Sequence, residues 1–181
     1  MCSLKGNEQQ EIEELFSMFH DFEIISVKKI GDVLTLELVI PWGEVWIPPI
    51  MDYQIKLDLI GCRELKCDYF VFKNDEVTKL KPTALRETIR KTTSDTRTIS
   101  NLGLEIQNFT LFEPDSFILN CNNSKGIAGG ELAFTAKDYM LFKSLGEPLP
   151  LHKLKQWATQ WWDGIQEMWN KENQANDNTL N

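Results

Sequence analysis

The stretch FEIISVKKIGDVLTLELVI, residues 22–40, decides the fold. In its second half, apolar residues alternate with polar ones, and the apolar set is Leu34, Leu36, Leu38 and Ile40. This period of two is typical of a strand with one buried face. Gly31-Asp32 separates it from residues 22–30, which also have a strand-like composition. Two strands around a short glycine-containing turn predict a β-hairpin.

The same period of two recurs downstream of this hairpin. Further strands are predicted at residues 53–60, 65–72, 102–112, 117–121 and from 132 to about 142. Pro82 fits the first turn of a short helix that would run to about residue 91. Residues 92–100 are rich in Thr and Ser and are predicted to form a loop. Long helices do not alternate with these strands, so an antiparallel sheet is favoured.

Two longer helices are predicted at the ends of the chain. Near the N-terminus an apolar stripe with helical spacing ends close to His20-Asp21, and it comprises Ile12, Leu15, Phe16 and Phe19. Residues 151–170 form a second amphipathic helix with a wide apolar stripe. Trp157 and Trp162 lie at opposite edges of that stripe, so one of the two is expected to be partly exposed.

These elements predict an α+β fold. We expect a single antiparallel sheet of about six to eight strands, with the N-terminal helix and the long C-terminal helix packed on it. Residues 1–170 are predicted to form one domain. Residues 171–181 are polar and rich in Asn, and we expect them to form a disordered tail.

Charge and cysteine usage narrow the class of protein. The chain has 181 residues, of which 19 are basic and 27 acidic, for a net charge of −8. This balance disfavours binding to nucleic acid or to an anionic membrane. The first residues show no apolar core of a signal peptide. We therefore expect a cytoplasmic protein whose cysteines are free thiols, at positions Cys2, Cys62, Cys67 and Cys121.

No motif predicts a catalytic, metal or cofactor site. Adjacent His and Asp ligate metal in HD-type phosphohydrolases, but those sites need more histidines than His20 and His152. Cys62 and Cys67 lack the spacing of a zinc knuckle. The glycine-rich residues 126–130 are not followed by the Lys-Ser or Lys-Thr of a phosphate loop. We predict no catalytic residue, no metal and no cofactor, and these glycines indicate a hairpin turn.

Candidate partner-binding residues come from two groups of side chains. Tryptophan is enriched at the centres of protein interfaces, and the tryptophans considered are Trp42, Trp46, Trp157 and Trp162. The alternative is that they fill the layer between helix and sheet. Arg86 and Arg90 belong to the basic stretch 73–97 and would stack on one helix face. That face would be solvated, or would bind an acidic protein.

The residues around the first hairpin carry a family resemblance. The segment FHDFEIISV, residues 19–27, followed by GDVLTLEL at 31–38, resembles bacterial uncharacterised proteins. Some of these are classed as immunity proteins of polymorphic toxin systems, in which an aromatic-His-Asp stretch leads into a β-hairpin. The resemblance covers about 25 of the 181 residues. It implies a sheet-based cytoplasmic protein that binds another protein, and it implies no catalytic residue.

Three functions remain open at the level of sequence. The first is a non-enzymatic protein–protein interaction module of the immunity type. The second is a small-ligand-binding protein or hydrolase that uses a groove between the sheet and the C-terminal helix. The third is an acidic secretion-type chaperone, which would be dimeric and would bind an extended peptide. A deep polar pocket would favour the second function, and an exposed apolar patch the first.

Overall fold

The computed structural model of the protein describes residues 6–40, 53–73, 87–123 and 127–179. Within these residues, nine strands and three helices follow one another. In order, they are α1 (Gly6–Ser17), β1 (Glu23–Ile30), β2 (Val33–Val39), β3 (Gln54–Ile60), β4 (Leu65–Phe72), β5 (Thr88–Thr93), α2 (Thr96–Ser100), β6 (Leu104–Glu113), β7 (Ser116–Asn123), β8 (Ile127–Thr135), β9 (Asp138–Lys143) and α3 (Leu151–Thr179).

The strands form one open antiparallel sheet, which confirms the α+β class. Their order across the sheet is β5-β4-β8-β7-β6-β1-β2-β3-β9. The count of nine corrects the expected six to eight. One extra strand arises because residues 132–142 do not form a single strand. β8 ends at Thr135, and β9 begins at Asp138 as a neighbour of β3.

The second extra strand is β5, which occupies residues assigned to other structures by the sequence. The predicted helix at 82–91 is wrong over residues 88–91, and its first residues, 82–86, lie outside the described ranges. The predicted loop at 92–100 is wrong as well, because it contains the end of β5 and all of α2. Three threonines and Ile89 favour extended backbone here, since β-branched side chains fit a pleated strand.

The hairpin at residues 22–40 is confirmed. β1 and β2 pair from Ile30 opposite Val33, and Gly31 occupies the turn with φ +61°. The alternating leucines of β2 are fully buried, as the period of two predicts. β2 also pairs along its length with β3, so the hairpin forms the centre of one half of the sheet.

The sheet is strongly curled, and its connections require this. β8 and β9 stand six places apart in the sheet, yet only residues 136–137 join them. Six strand spacings would cover about 29 Å in a flat sheet, whereas the chain from Thr135 to Asp138 reaches at most about 11 Å. β3 and β4 are likewise six places apart and are joined by residues 61–64. The chain therefore crosses from one end of the sheet to the other twice, at residues 61–64 and at residues 136–137.

Hydrogen bonds hold the two crossings together. Lys137 N donates to Ile60 O over 2.7 Å, and Arg63 N donates to Thr135 Oγ1 over 2.8 Å. Gly61 has φ +80°, a left-handed conformation that glycine adopts without steric cost. We call residues 61–64 together with 135–137 the seam. It joins the chain between β3 and β4 to the chain between β8 and β9.

The hydrophobic core lies under the concave side of the sheet, where α1 packs. Phe16 of α1 is 1% exposed and contacts several aromatic rings with centroid distances of 5.3–5.9 Å. Those rings belong to Phe19, Phe109, Phe117 and Phe134. α3 adds the buried Leu154 to the same core. The helix α3 continues to Thr179, past residue 170 where the sequence predicts its end.

Candidate functional site

A groove of about 430 Å³ lies between the C-terminal end of α1 and the first half of α3. The α1 side is formed by Glu14, Ser17, Met18 and His20. The α3 side is formed by Lys155, Ala158, Thr159, Trp162 and Asp163. The groove is the candidate functional site because it brings charged side chains and an exposed aromatic ring together between two helices.

Helical spacing explains why these residues of α3 line one wall. Residues 155, 158, 159 and 162 recur at i, i+3, i+4 and i+7, which places them on one helical face. The adjoining face carries Leu154, which is fully buried, and Trp157, which packs partly buried against the core. The contacts of Leu154 and Trp157 with the core therefore orient the groove-lining face beside α1.

An ion pair joins the two walls of the groove. Lys155 Nζ of α3 contacts Glu14 Oε1 of α1. Both side chains are partly exposed, Lys155 by 39% and Glu14 by 46%, so the pair adds little to the free energy of folding. The ion pair links α1 to α3 across the groove and places the charges of Glu14 and Lys155 next to each other.

His20 and Asp21 lie at the turn that ends α1. His20 Nδ1 and Asp21 Oδ2 are 2.8 Å apart, and Asp21 has φ +69°. Asp is among the few residues other than glycine that tolerate this left-handed conformation. Asp21 N donates to Ile106 O over 2.7 Å, which attaches the turn to β6. The turn that follows α1 thus places the imidazole of His20 on the groove.

The predicted partner-binding residues do not come together in one place. Trp162 is 52% exposed and lines the groove, whereas Trp157 packs against the core. Trp42, Trp46 and Arg86 lie outside the described residues. Arg90 belongs to β5 and not to a helix, so the predicted helical stacking of Arg86 and Arg90 is wrong.

Sequence reasoning missed the charged residues of the groove. Glu14, Lys155 and Asp163 were not singled out, because ordinary charges on amphipathic helices give no separate signal. The sequence suggested two roles for His20, a metal ligand beside Asp21 or a residue at the C-terminal end of α1, and neither role predicts the groove. The pairing of α1 with α3 depends on the curl of the sheet, and no local pattern in the sequence reports it.

A second polar cluster lies on the outer face of the sheet around Asp68. Cross-strand register places one polar residue from each of five strands in a row, which we call the polar row: Thr92, Asp68, Glu131, Asn120 and Asn108. The Asp68 carboxylate is almost buried, and it accepts hydrogen bonds from Lys66, Thr92 and Arg90. These donors hold its pKa well below the usual range.

Three cysteines lie inside the protein as free thiols. Cys62, Cys67 and Cys121 are buried and unbridged, and Cys2 lies outside the described residues. Burial raises the pKa of Cys67 and of Cys121 to about 12, and it raises the pKa of Cys62 as well. These thiols therefore stay protonated at neutral pH, and a thiol is a poor nucleophile in that state.

Two other kinds of feature do not occur in the described residues. Among them, no group of three His, Cys, Asp or Glu side chains is arranged to hold a metal ion. In the same residues, no helix combines the length and apolar composition needed to cross a membrane.

Comparisons with protein families, curated proteins and solved structures found no match to this chain. The resemblance of residues 19–38 to immunity-type proteins therefore stays a prediction.

Proposed function

We propose that the chain is a non-enzymatic protein-binding module that docks its partner in the groove between α1 and α3. Its specific form would be an immunity-type protein, which acts by binding and neutralising a toxin. The observation that carries the proposal is the exposure of Trp162 in a groove with charged walls.

Trp162 has the properties of an interface anchor. Its large ring stays 52% exposed, although the neighbouring Leu154 and Trp157 of the same helix pack on the core. A tryptophan at the centre of an interface contributes a large apolar area at a small cost in side-chain entropy. Trp162 therefore offers apolar area that a partner can cover without any rearrangement of the core.

The shape of the groove favours a protein over a small molecule. Six of its nine lining residues are exposed: Glu14, Ser17, His20, Thr159, Trp162 and Asp163. A small-molecule site encloses most of its ligand, whereas this groove lies open along the helices. Its volume of about 430 Å³ accommodates a few side chains from a partner surface.

The charges of the site indicate a basic partner. Asp163 is exposed beside Trp162, while the charge of Lys155 is already paired with Glu14. An Arg or Lys side chain can lie over the face of a tryptophan and also bind a neighbouring carboxylate. The net charge of −8 adds a long-range attraction for a basic surface.

The proposal is tested by photo-crosslinking at two adjacent positions of α3. A photo-reactive amino acid replaces Thr159, which lines the groove, or Gln160, which is exposed outside it. We expect the Thr159 probe to capture one partner in cells and the Gln160 probe to capture none. The purified partner should then bind the Trp162→Ala variant at least ten-fold more weakly, while Gln160→Ala binds as the parent does.

The other outcomes contradict the proposal at different levels. Equal capture at both positions, or equal affinity of Trp162→Ala and the parent, would exclude the groove as the docking site. A captured partner without basic residues at the crosslink would overturn the inferred chemistry. The immunity form requires that the partner is toxic when expressed alone and harmless when expressed with this chain. A non-toxic partner would exclude the immunity function, and the proposal of a protein-binding module would still stand.

A further inference from the structure

The sheet has two edge strands, and only one of them is covered by other described residues. At β9 the following segment runs along the edge: Lys143 N donates to Glu147 O and Leu149 N to Leu141 O, both over 2.8 Å. At β5, the opposite edge, no strand within residues 6–40, 53–73, 87–123 and 127–179 pairs with the outer side. Natural proteins usually cover or blunt such an edge, whereas the described residues leave the outer side of β5 unpaired.

The register identifies the backbone groups that face outward from β5. Lys73 N donates to Glu87 O over 2.9 Å, and this pair continues the regular antiparallel pairing of β4 with β5. In an antiparallel ladder, residues alternate between hydrogen-bonded and non-hydrogen-bonded pairs. The N–H and C=O groups of Thr88, Arg90 and Thr92 therefore point away from β4. They form a ladder ready for one more strand.

The side chains of β5 select the chemistry of such a strand. Its sequence, TIRKTT, contains two cations and no acid. Lys91 is exposed, and Arg90 is held along the outer face by its bond to Asp68. Ile89 is 46% exposed and offers an apolar contact to a neighbouring strand. Lys91 projects to the face opposite Arg90, and Arg90 is already paired with Asp68. An acidic extended segment would place a carboxylate beside Lys91, whereas a basic one would be repelled.

A second copy of the chain fits this edge poorly. Antiparallel pairing of the middle of β5 with itself must be centred on Arg90 or on Lys91, because only these central registers keep outward-facing groups opposite each other. Either register places a cation opposite the same cation of the other copy. Like charges directly opposite each other destabilise a strand pair. We infer that the edge of β5 binds an extended acidic segment of another protein as an added tenth strand. This edge shares no residue with the groove, so the inference goes beyond the proposed function and does not depend on it.

The inference is tested first with labelled peptides. The probe is a fluorescein-labelled ten-residue peptide in which Glu alternates with Val and Thr, and the comparison peptide has Lys in place of each Glu. By fluorescence anisotropy at about 0.15 M salt, which screens the net charge of −8, we expect the acidic peptide to bind at least ten-fold more tightly. Two further acidic peptides carry N-methyl groups on one or the other alternate set of amides. Only one of the two sets should abolish binding, because only one set faces β5.

Variants of the protein separate strand pairing from charge attraction. Thr88→Pro removes an outward N–H and leaves the hydrogen bonds to β4 intact. It should therefore weaken binding of the acidic peptide at least five-fold without unfolding the protein. Lys91→Glu should reverse the preference between the two peptides. Lys153→Glu, on the exposed face of α3, makes the same charge change away from the edge and should leave the preference unchanged.

Amide hydrogen exchange gives a readout at single residues. The amides of Thr88, Arg90 and Thr92 should exchange rapidly in the free protein and become protected when the acidic peptide binds. Equal affinity for both peptides, equal effects of Lys91→Glu and Lys153→Glu, or no loss on N-methylation would overturn the inference. Protection that grows with protein concentration in the absence of peptide would identify a second copy as the occupant, and would also overturn it.

Discussion

Arg90 Nη2 of β5 donates a hydrogen bond to Asp68 Oδ2 of β4 over 2.5 Å, across the last pair of strands in the sheet. The same carboxylate accepts from Lys66 Nζ over 2.8 Å and from Thr92 Oγ1. Two of its three donors therefore belong to β5. Because β5 buries none of its own side chains, these bonds are a main side-chain attachment of the edge strand to the sheet.

The first prediction concerns Asp68 and acid. The folded-state pKa of Asp68 is lowered, first by Lys66 and then by Thr92 and Arg90. The Asp68 carboxylate therefore stabilises the fold fully above its unfolded pKa of about 4. This stabilisation is lost as the pH falls below that value. Asp68→Asn should lower the free energy of unfolding at pH 7 by about 1–3 kcal/mol. In urea denaturation, the difference in unfolding free energy between the parent and Asp68→Asn should become smaller from pH 4 to pH 2.5.

Glu113→Gln is the matched control for this prediction. Glu113 is an exposed carboxylate at the end of β6, and its replacement should change the unfolding free energy by less than about 0.5 kcal/mol. A gap between parent and Asp68→Asn that stays constant with pH would mean that the carboxylate is not held in its charged form by these donors.

Strand β5 was not predicted from the sequence, whereas the first hairpin and helix α1 were. The hairpin at 22–40 and helix α1 were predicted because burial of one face forces apolar residues into a period of two or 3.6. β5 has no buried face, so TIRKTT carries no such period. The break at residues 136–137 was also missed, although the buried positions change parity there, from Leu132, Phe134 and Ala136 to Leu141.

The candidate site was predicted only in part, for a related reason. The position of Trp162 at the edge of the apolar stripe is a local property of α3, and the ring is indeed exposed. The approach of Lys155 to Glu14 depends on tertiary packing between residues far apart in the chain. Such a contact is not encoded in helical periodicity.

The second prediction compares two residues of α3. Leu154→Ala removes a fully buried side chain and should lower the free energy of unfolding by about 2–5 kcal/mol, through lost transfer energy and a residual cavity. Trp162→Ala truncates a larger side chain that is half exposed, and should cost less than Leu154→Ala. Chemical denaturation followed by circular dichroism measures both. A larger cost for Trp162→Ala would show that this ring mainly supports the fold, and it would contradict the role of Trp162 as an interface anchor.

The third prediction concerns the thiols. In a Cys2→Ser background, Cys62, Cys67 and Cys121 should not react with Ellman's reagent in the native protein at pH 8, and all three should react in guanidinium chloride. Burial raises the pKa of Cys67 and Cys121 to about 12. The folded state therefore holds these protons after the unfolded state has released its own, and stability should fall as pH rises above about 8.5. Rapid labelling of the native protein would contradict this burial.

The fourth prediction contrasts two glycines. A Cβ on Gly130 would lie 2.8 Å from Asp68 O and 3.2 Å from Tyr69 Cβ, so β4 and β8 would have to move apart. A Cβ on Gly31 would meet no atom within 4 Å, although its φ of +61° disfavours other residues. Gly31→Ala should cost about 1–2 kcal/mol, and Gly130→Ala should cost more. Thermal melting of both variants measures the difference, and the reverse order would contradict the close approach of the two strands.

The seam determines the order in which the strands can pair while the chain is being synthesised. Arg63 and Thr135, which it joins, are separated by 72 positions in the chain. A nascent chain on the ribosome can form the β1–β2–β3 meander early, but β3 waits for β9 and β4 waits for β8. Two unsatisfied strand borders thus remain open to wrong partners until residues 127–143 emerge. Such late, long-range closure slows folding, because the entropy of closing long loops is lost before the strands can pair.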